Sequence, residues 1–215
     1  MTVSVRRLFG LAVAVTGLFG VTTAQAHPDV WITSTSELIY APDGSLTGVR
    51  HAWTFDDMFT RGALQEIENK TKGVYTSEEL APLARINAES LKEFGYFTFA
   101  KADGKRAKFD EPVDYFMEYR DGALTLHFTL SLRAPVRPKE LVIEVFDPTS
   151  FADFKFAEKQ PVLLVGAPAS CKLDVQRTPM AGSPGAKASG QTALDHGEDG
   201  DSGAVFTNRI TVVCR

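Results

Sequence analysis

The feature that most limits the fold of this chain is a strict alternation of apolar and polar residues between Leu124 and Arg133. Leu or Phe stands at every second position, and Thr, His, Ser or Arg stands between them. Because successive side chains of a strand point to opposite faces, this pattern predicts a strand with one buried and one solvated face. Such a strand needs a sheet and a covering layer, so the chain is predicted to form a layered β fold.

Further runs of apolar, β-branched and aromatic residues are bounded by turn residues and predict more strands. Asp103-Gly104 and Asp121-Gly122 are typical of tight hairpin turns. The pattern therefore favours a sandwich of short strands within a single domain. The predicted strands cover about residues 29–40, 46–55, 96–100, 107–109, 113–119, 124–133, 141–146, 154–156, 162–165, 171–177 and 208–214.

The apolar period changes from two to about four between residues 56 and 94. Asp56 and Asp57 predict the capped start of a helix that continues to about Lys70. The capping box at 76–79 predicts a second helix that runs to Phe94 and stops at Gly95. The predicted fold class is therefore mainly β: an antiparallel β-sandwich with an inserted pair of helices at about residues 56–94.

The first 26 residues have the three parts of a secretory signal peptide. Arg6 and Arg7 form a positive start, residues 8–21 are apolar, and Ala24–Ala26 matches the usual cleavage signature. Residues 1–26 are thus predicted to be removed, which leaves one β-rich domain at 27–215. We expect a periplasmic product that does not itself span a membrane, in an oxidising compartment.

Two cysteines, Cys171 and Cys214, lie in the last two predicted strands. If these strands pair antiparallel with the cysteines opposite each other, Leu173 faces Val212 and Val175 faces Ile210. Both apolar pairs fall in register, so the sequence predicts a Cys171–Cys214 disulfide. The stretch between the strands, about 181–204, is rich in Gly, Ser, Ala and Asp and is predicted to be a flexible loop.

Composition and motifs exclude several classes of function. The chain is 44% hydrophobic and 23% charged, which is typical of a globular protein. Its net charge of −4 and the lack of a basic block argue against a nucleic-acid partner. The sequence has no G-x-S-x-G, P-loop, H-E-x-x-H or G-x-G-x-x-G motif, so no enzyme is predicted.

His27 would become the amino-terminal residue after signal cleavage. Its α-amine and imidazole nitrogen could then chelate one metal ion, and such ligands suit Cu(II), Ni(II) or Zn(II). Pro28 has no N–H, which excludes the three-residue copper/nickel motif that needs a deprotonated amide there. The candidate metal ligands are therefore His27, Asp29 and His51. The alternatives are that cleavage exposes His27 by chance and that His51, on an apolar strand face, is a hydrogen-bonded core residue.

The other two histidines are interpreted as surface residues. His127 lies on the polar face of the alternating strand, which favours an exposed side chain without a specific role. His196 lies in an acidic, glycine-containing stretch that could bind divalent cations weakly. The spacing of that stretch does not match a calcium-binding loop, so a solvated acidic loop is the favoured interpretation.

Five motifs follow one another along the chain: His27–Ile32 after the signal peptide, Trp53–Phe59, Phe94–Thr98, Phe128–Leu132 and Phe146–Pro148. Together they resemble the bacterial domain of unknown function 1007 family, and the resemblance spans most of residues 27–175. That family has His-Pro-His at the mature amino terminus, whereas Asp29 stands at the position of the second His in this chain. The substitution shifts the ligand set towards oxygen.

Members of this family are described as the periplasmic component of an uncharacterised ABC-type transport system, and they often accompany nickel/cobalt export-type membrane proteins. The resemblance implies a periplasmic accessory or binding protein for transition-metal transport, with a membrane metal transporter as partner. Nickel, cobalt, zinc or copper would be held at His27. The rival hypothesis is an interaction module that docks on a transporter without binding metal. A copper-dependent oxidase that uses the amino-terminal histidine is a third possibility.

Overall fold

The computed structural model describes residues 29–149, 151–177 and 208–215, and the strands in these ranges form two packed sheets. The larger sheet has the order β5-β6-β2-β1-β8, with β9 also paired to β1, and the smaller sheet has the order β10-β11-β7-β3-β4. The strands are β1 (Val30–Tyr40), β2 (Leu46–Phe55), β3 (Thr98–Ala102), β4 (Lys105–Ala107), β5 (Val113–Arg120), β6 (Ala123–Val136), β7 (Glu140–Val145), β8 (Ala152–Phe156), β9 (Val162–Val165), β10 (Lys172–Gln176) and β11 (Asn208–Val213).

The mainly β sandwich predicted from the sequence is confirmed. Along β6 the burial alternates as expected, and β2 and β1, which follow β6 in the same sheet, alternate in the same way. The side chains that point between the two sheets form one hydrophobic core. The largest fully buried side chains are Trp53, Phe128, Leu38, Leu46, Leu80, Met117, Leu124, Leu126, Leu130, Leu141, Ile143 and Ile210.

The larger sheet is mixed, whereas the sequence predicted antiparallel pairing throughout. Strands β8 and β9 both run parallel to β1. The chain passes through β7 of the smaller sheet before it returns to the free edge of β1. Strand direction after such a crossing depends on the path of the connection, and the alternation of residues within each strand carries no information about it.

The pair of helices lies where the sequence placed it, with shorter bounds. Helix α1 (Asp57–Gln65) is capped by the Asp56 carboxylate and ends five residues before the predicted Lys70. Beyond α1, the Lys70 N–H donates to the Glu79 carboxylate at 2.9 Å, and the Asn69 amide donates to the Thr71 carbonyl. These local side-chain bonds replace the backbone bonds that would continue the helix.

Helix α2 (Ser77–Ser90) begins with the predicted capping box between Thr76 and Glu79. It ends before the predicted Phe94, since a 3₁₀ helix covers Leu91–Phe97. Gly95 has a φ of 60° within this segment, and Tyr96 and Phe97 also have positive φ values. This left-handed backbone explains why β3 starts at Thr98, two residues after the predicted start.

The pairing of β10 with β11 has the predicted register, with Leu173 opposite Val212 and Val175 opposite Ile210. The Cys171–Cys214 disulfide is formed, which confirms that prediction. Disulfides are typical of proteins that fold outside the reducing cytosol. Among the helices in the described ranges, none is both long and apolar enough to cross a membrane. The predicted signal peptide and the predicted loop at 181–204 lie outside the described residues.

Candidate metal-binding residues

Asp29 lies immediately before β1 and has an exposed side chain. Its backbone N–H donates to the carbonyl of Phe151 at 2.9 Å, which fixes the start of β1 against the segment that leads into β8. The carboxylate of Asp29 is therefore at the surface, at the end of the larger sheet where β1 begins. The ligand role of Asp29 stays a prediction from the sequence.

The neighbouring carboxylate of Asp56 is already used by the fold. One of its oxygens accepts the Trp31 N–H at 2.7 Å, and the other accepts the Phe59 N–H at 2.9 Å and caps α1. The Asp56 N–H in turn donates to the Trp31 carbonyl at 3.0 Å. Asp56 thus joins the start of α1 to the start of β1.

His51 lies in the middle of β2 and is only 1% exposed. Its Nδ1 is 2.9 Å from the Ser36 hydroxyl, and its Nε2 is 3.2 Å from the Thr98 hydroxyl. The Thr98 hydroxyl also donates to the Tyr96 carbonyl at 2.8 Å, so its single proton is used there. Nε2 must therefore carry the imidazole proton and donate to Thr98, while Nδ1 accepts from Ser36.

This arrangement leaves His51 without a lone pair for a metal ion. The rings of Trp53 and Phe128 lie 5.6 and 5.2 Å from the imidazole, so its surroundings are apolar apart from the two hydroxyls. Burial lowers the pKa of His51 to about 3, because the charged imidazolium would lose its hydration. His51 bridges the two sheets, since Ser36 and Thr98 belong to β1 and β3.

The structure does not bring Asp29 and His51 together. His51 pairs with Ser36 across β1 and β2, and Asp29 precedes Ser36 by seven residues. At about 3.3 Å per residue along a strand, the two positions are about 23 Å apart. His27 lies outside the described residues. Within the described ranges, no group of three or more His, Cys, Asp or Glu residues is arranged to hold a metal ion.

Two polar residues of β1 near His51 were not predicted from the sequence to have a role. Ser34 and Ser36 both occupy inward positions of β1, opposite Trp53 and His51. The Ser34 hydroxyl and the Trp53 indole nitrogen are buried and have no hydrogen-bond partner among the described residues. Serines at alternate positions of a strand otherwise filled by apolar residues were the available signal for a polar strip within the core.

Comparison with known proteins places this fold in a family. The sequence matches the family described as "Protein of unknown function (DUF1007)" over residues 12–214. The chain belongs to the DUF1007 family. It is also similar to the "Uncharacterized 15.5 kDa protein in trpE 3'region" of Spirochaeta aurantia, with 28% identity over 93 residues. That match covers 43% of this chain and 66%, just under two thirds, of the relative.

In this DUF1007 chain His127 differs from the exposed residue predicted from the sequence. It is half-buried, because the ring of Phe116 stacks on it with a centroid distance of 4.4 Å and an interplanar angle of 6°. Its Nε2 is 3.4 Å from the Glu118 carboxylate. Burial lowers the pKa of His127, and Glu118 partly offsets that shift. Phe116 pairs directly with His127 in the register of β5 and β6, so both rings lie on the same face of the sheet. His196 lies outside the described residues.

Proposed function

We propose that this DUF1007 protein is a periplasmic accessory or binding protein of a transition-metal transport system and holds nickel, cobalt, zinc or copper at His27. The observation that carries the proposal is the position of Asp29, an exposed carboxylate on a fixed backbone at the start of β1. His27 is two residues away along the chain, which limits the separation of the two Cα atoms to about 7 Å. The predicted signal peptide and the disulfide support a periplasmic location.

The proposed ligand set contains the α-amine and imidazole of His27 and the carboxylate of Asp29. His51 is left out of it, because its ring nitrogens are committed to Ser36 and Thr98 and its position is about 23 Å from Asp29. Amine, imidazole and carboxylate donors suit divalent transition metals of intermediate softness. The proposal includes no catalytic step, and the partner would be a membrane metal transporter.

A free α-amine at His27 should be required for tight binding. We expect protein that begins at His27 to bind one Ni(II), Cu(II) or Zn(II) ion, measured by isothermal titration calorimetry. A form with one extra residue before His27 keeps the imidazole but loses the amine chelate. It should bind at least tenfold more weakly, which corresponds to about 1.4 kcal/mol. Equal affinity of the two forms would contradict the amino-terminal chelate.

Matched variants separate the ligands from other polar residues. Asp29→Asn should weaken metal binding, whereas Asp174→Asn, at an exposed position on β10, should leave it unchanged. His51→Gln and His127→Gln should also leave the affinity unchanged. A loss of binding in His51→Gln protein that remains folded by circular dichroism would restore His51 to the ligand set.

A second candidate function is an interaction module that docks on a transporter and binds no metal. Exposed apolar side chains on the edge strand β5 favour it: Tyr115 is 38% exposed and Phe116 is 47% exposed. Both line a cavity of about 420 Å³ against α2. If no metal binds above background, this candidate takes precedence. Phe116→Asp should then abolish complementation of a deletion strain, scored by cellular metal content, while Leu163→Asp on β9 should not.

A further inference from the structure

A cavity of about 400 Å³ lies on the side of the smaller sheet that faces away from the core, next to the 3₁₀ helix. It is within the size range of small-molecule sites. Phe99, Phe109 and Val142 contribute to its apolar surface. Phe99 is half-buried, and its ring lies 4.8 Å from that of Phe146. The ring of Phe99, packed against Phe146, therefore forms an aromatic floor of the cavity that a flat apolar group could contact.

The floor also contains a buried carboxylate that is already neutralised. The Glu144 side chain is 8% exposed, and one of its oxygens accepts from Nη2 and Nε of Arg209 at 2.7 and 3.1 Å. The two hydrogen bonds from one guanidinium group hold the Glu144 carboxylate in place and balance its charge. Glu144 therefore shapes the floor without making it acidic.

Cationic side chains outnumber carboxylates around this cavity by five to three. This positive balance runs against the net charge of the whole chain, which is −4. The cations are Lys92, Lys101, Arg106, Lys108 and Arg133, and the carboxylates are Asp110, Glu111 and Glu144.

Two of the cations are already neutralised and two are available. Lys92 is paired with Glu111, and Arg133 lies 3.3 Å from Asp110. Arg106 and Lys108 are exposed, and their side chains form no ion pair with any residue in the described ranges. Arg106 lies in β4 and Lys108 follows its last residue, and both side chains line the cavity. Two residues of chain limit the separation of their Cα atoms to about 7 Å.

We propose that this cavity binds a small organic anion, with its carboxylate or phosphate group between Arg106 and Lys108 and its apolar body on Phe99. Guanidinium and ammonium groups form strong charge-assisted hydrogen bonds with both kinds of anion. The apolar floor favours an anion with a flat hydrocarbon part over a bare inorganic ion. The site is on a different sheet from Asp29, so it does not depend on the proposed metal function.

Titration of the exported protein with benzoate, phenyl phosphate and inorganic phosphate tests the proposal, followed by ¹H–¹⁵N NMR at low ionic strength. We expect saturable shifts of the amides near Phe99 and Arg106 with at least one aromatic anion, and weaker binding of inorganic phosphate. Comparison of benzoate with phenyl phosphate shows which anionic group the site prefers. No saturable shift at this cavity with either aromatic anion would overturn the proposal.

Paired variants show whether the two cations and the aromatic floor are responsible. Arg106→Gln with Lys108→Gln should weaken binding of the aromatic anion at least tenfold. The matched control, Lys70→Gln with Lys72→Gln, removes the same charge from the segment between α1 and α2. It should change the affinity for the aromatic anion less than twofold. Phe99→Leu should weaken the binding of the aromatic anion and leave the binding of inorganic phosphate unchanged. Equal losses in the two double variants would mean that only net charge matters, which would overturn the site.

Discussion

Acidification from pH 6.5 to 3.5 should lower the free energy of unfolding by about 4 kcal/mol through His51 alone. In the folded protein burial lowers the pKa of His51 from 6.5 to about 3. The unfolded chain therefore takes up a proton in this pH interval and the folded chain does not. Each pH unit between the two pKa values favours unfolding by about 1.4 kcal/mol. The contribution of neutral His51 is complete above pH 6.5 and is lost as the pH falls towards 3.

The surroundings of His51 explain why no other group offsets this loss. Ser36 and Thr98 form hydrogen bonds with its ring and Trp53 and Phe128 pack beside it, and none of these four side chains carries a charge. A proton on Nδ1 would also displace the hydrogen that Ser36 donates to it. The total stability of a domain is commonly about 5–15 kcal/mol. A loss of this size is therefore about a quarter to four fifths of that stability.

Urea unfolding of the wild type and of His51→Gln between pH 7 and 3.5 measures the effect. Gln keeps a donor and an acceptor but does not titrate. Over this pH range the free energy of unfolding of His51→Gln should therefore fall by about 4 kcal/mol less than that of the wild type. Carboxylates titrate in both proteins and cancel in the comparison. His127→Gln is the control: His127 is half-buried, so its removal should change the pH dependence much less. Parallel curves for wild type and His51→Gln would refute the assignment.

The alternation of residues predicted which side of each strand is buried. As expected, every second residue from Leu124 to Leu132 on β6 and from Val49 to Phe55 on β2 faces the core. The same alternation gives the register of β10 against β11, because only one pairing aligns the apolar residues and the cysteines. These features depend on positions that are near in sequence or on one pair of strands, so a single sequence contains them.

The environment of His51 depends on three strands that are distant in sequence. Its partners Ser36 and Thr98 lie 15 and 47 residues away. Residue type alone does not distinguish a buried histidine with two hydroxyl partners from a metal ligand that faces a cavity. The parallel pairing of β1 with β8 is hidden for a similar reason, since Asp29 and Phe151 meet only after the chain has crossed the smaller sheet. Topology, which the sequence did not reveal, therefore decided the roles of these residues.

Loss of the Cys171–Cys214 disulfide should lower the free energy of unfolding by about 4 kcal/mol. The bond joins residues 43 positions apart, and in the chain-entropy model a loop of this length restricts the unfolded chain by about that amount. The folded state offers little to replace the bond, because β10 is an edge strand that pairs only with β11 among the described strands. Leu173 is 37% exposed on it, so β10 contributes little buried apolar surface.

The double variant Cys171→Ser with Cys214→Ser, compared with wild type in urea at pH 7, measures this contribution. We expect the variant to unfold at a lower urea concentration than the wild type. Dithiothreitol should lower the unfolding midpoint of the wild type to that of the variant. Dithiothreitol should leave the variant itself unchanged, which excludes a general effect of the reductant. Equal unfolding midpoints for oxidised wild type and variant would mean that β11 and β7 hold the carboxyl-terminal strands without the bond. In that case the stabilisation comes from the apolar pairs, such as Ile210 against Ile143, rather than from a restricted unfolded chain.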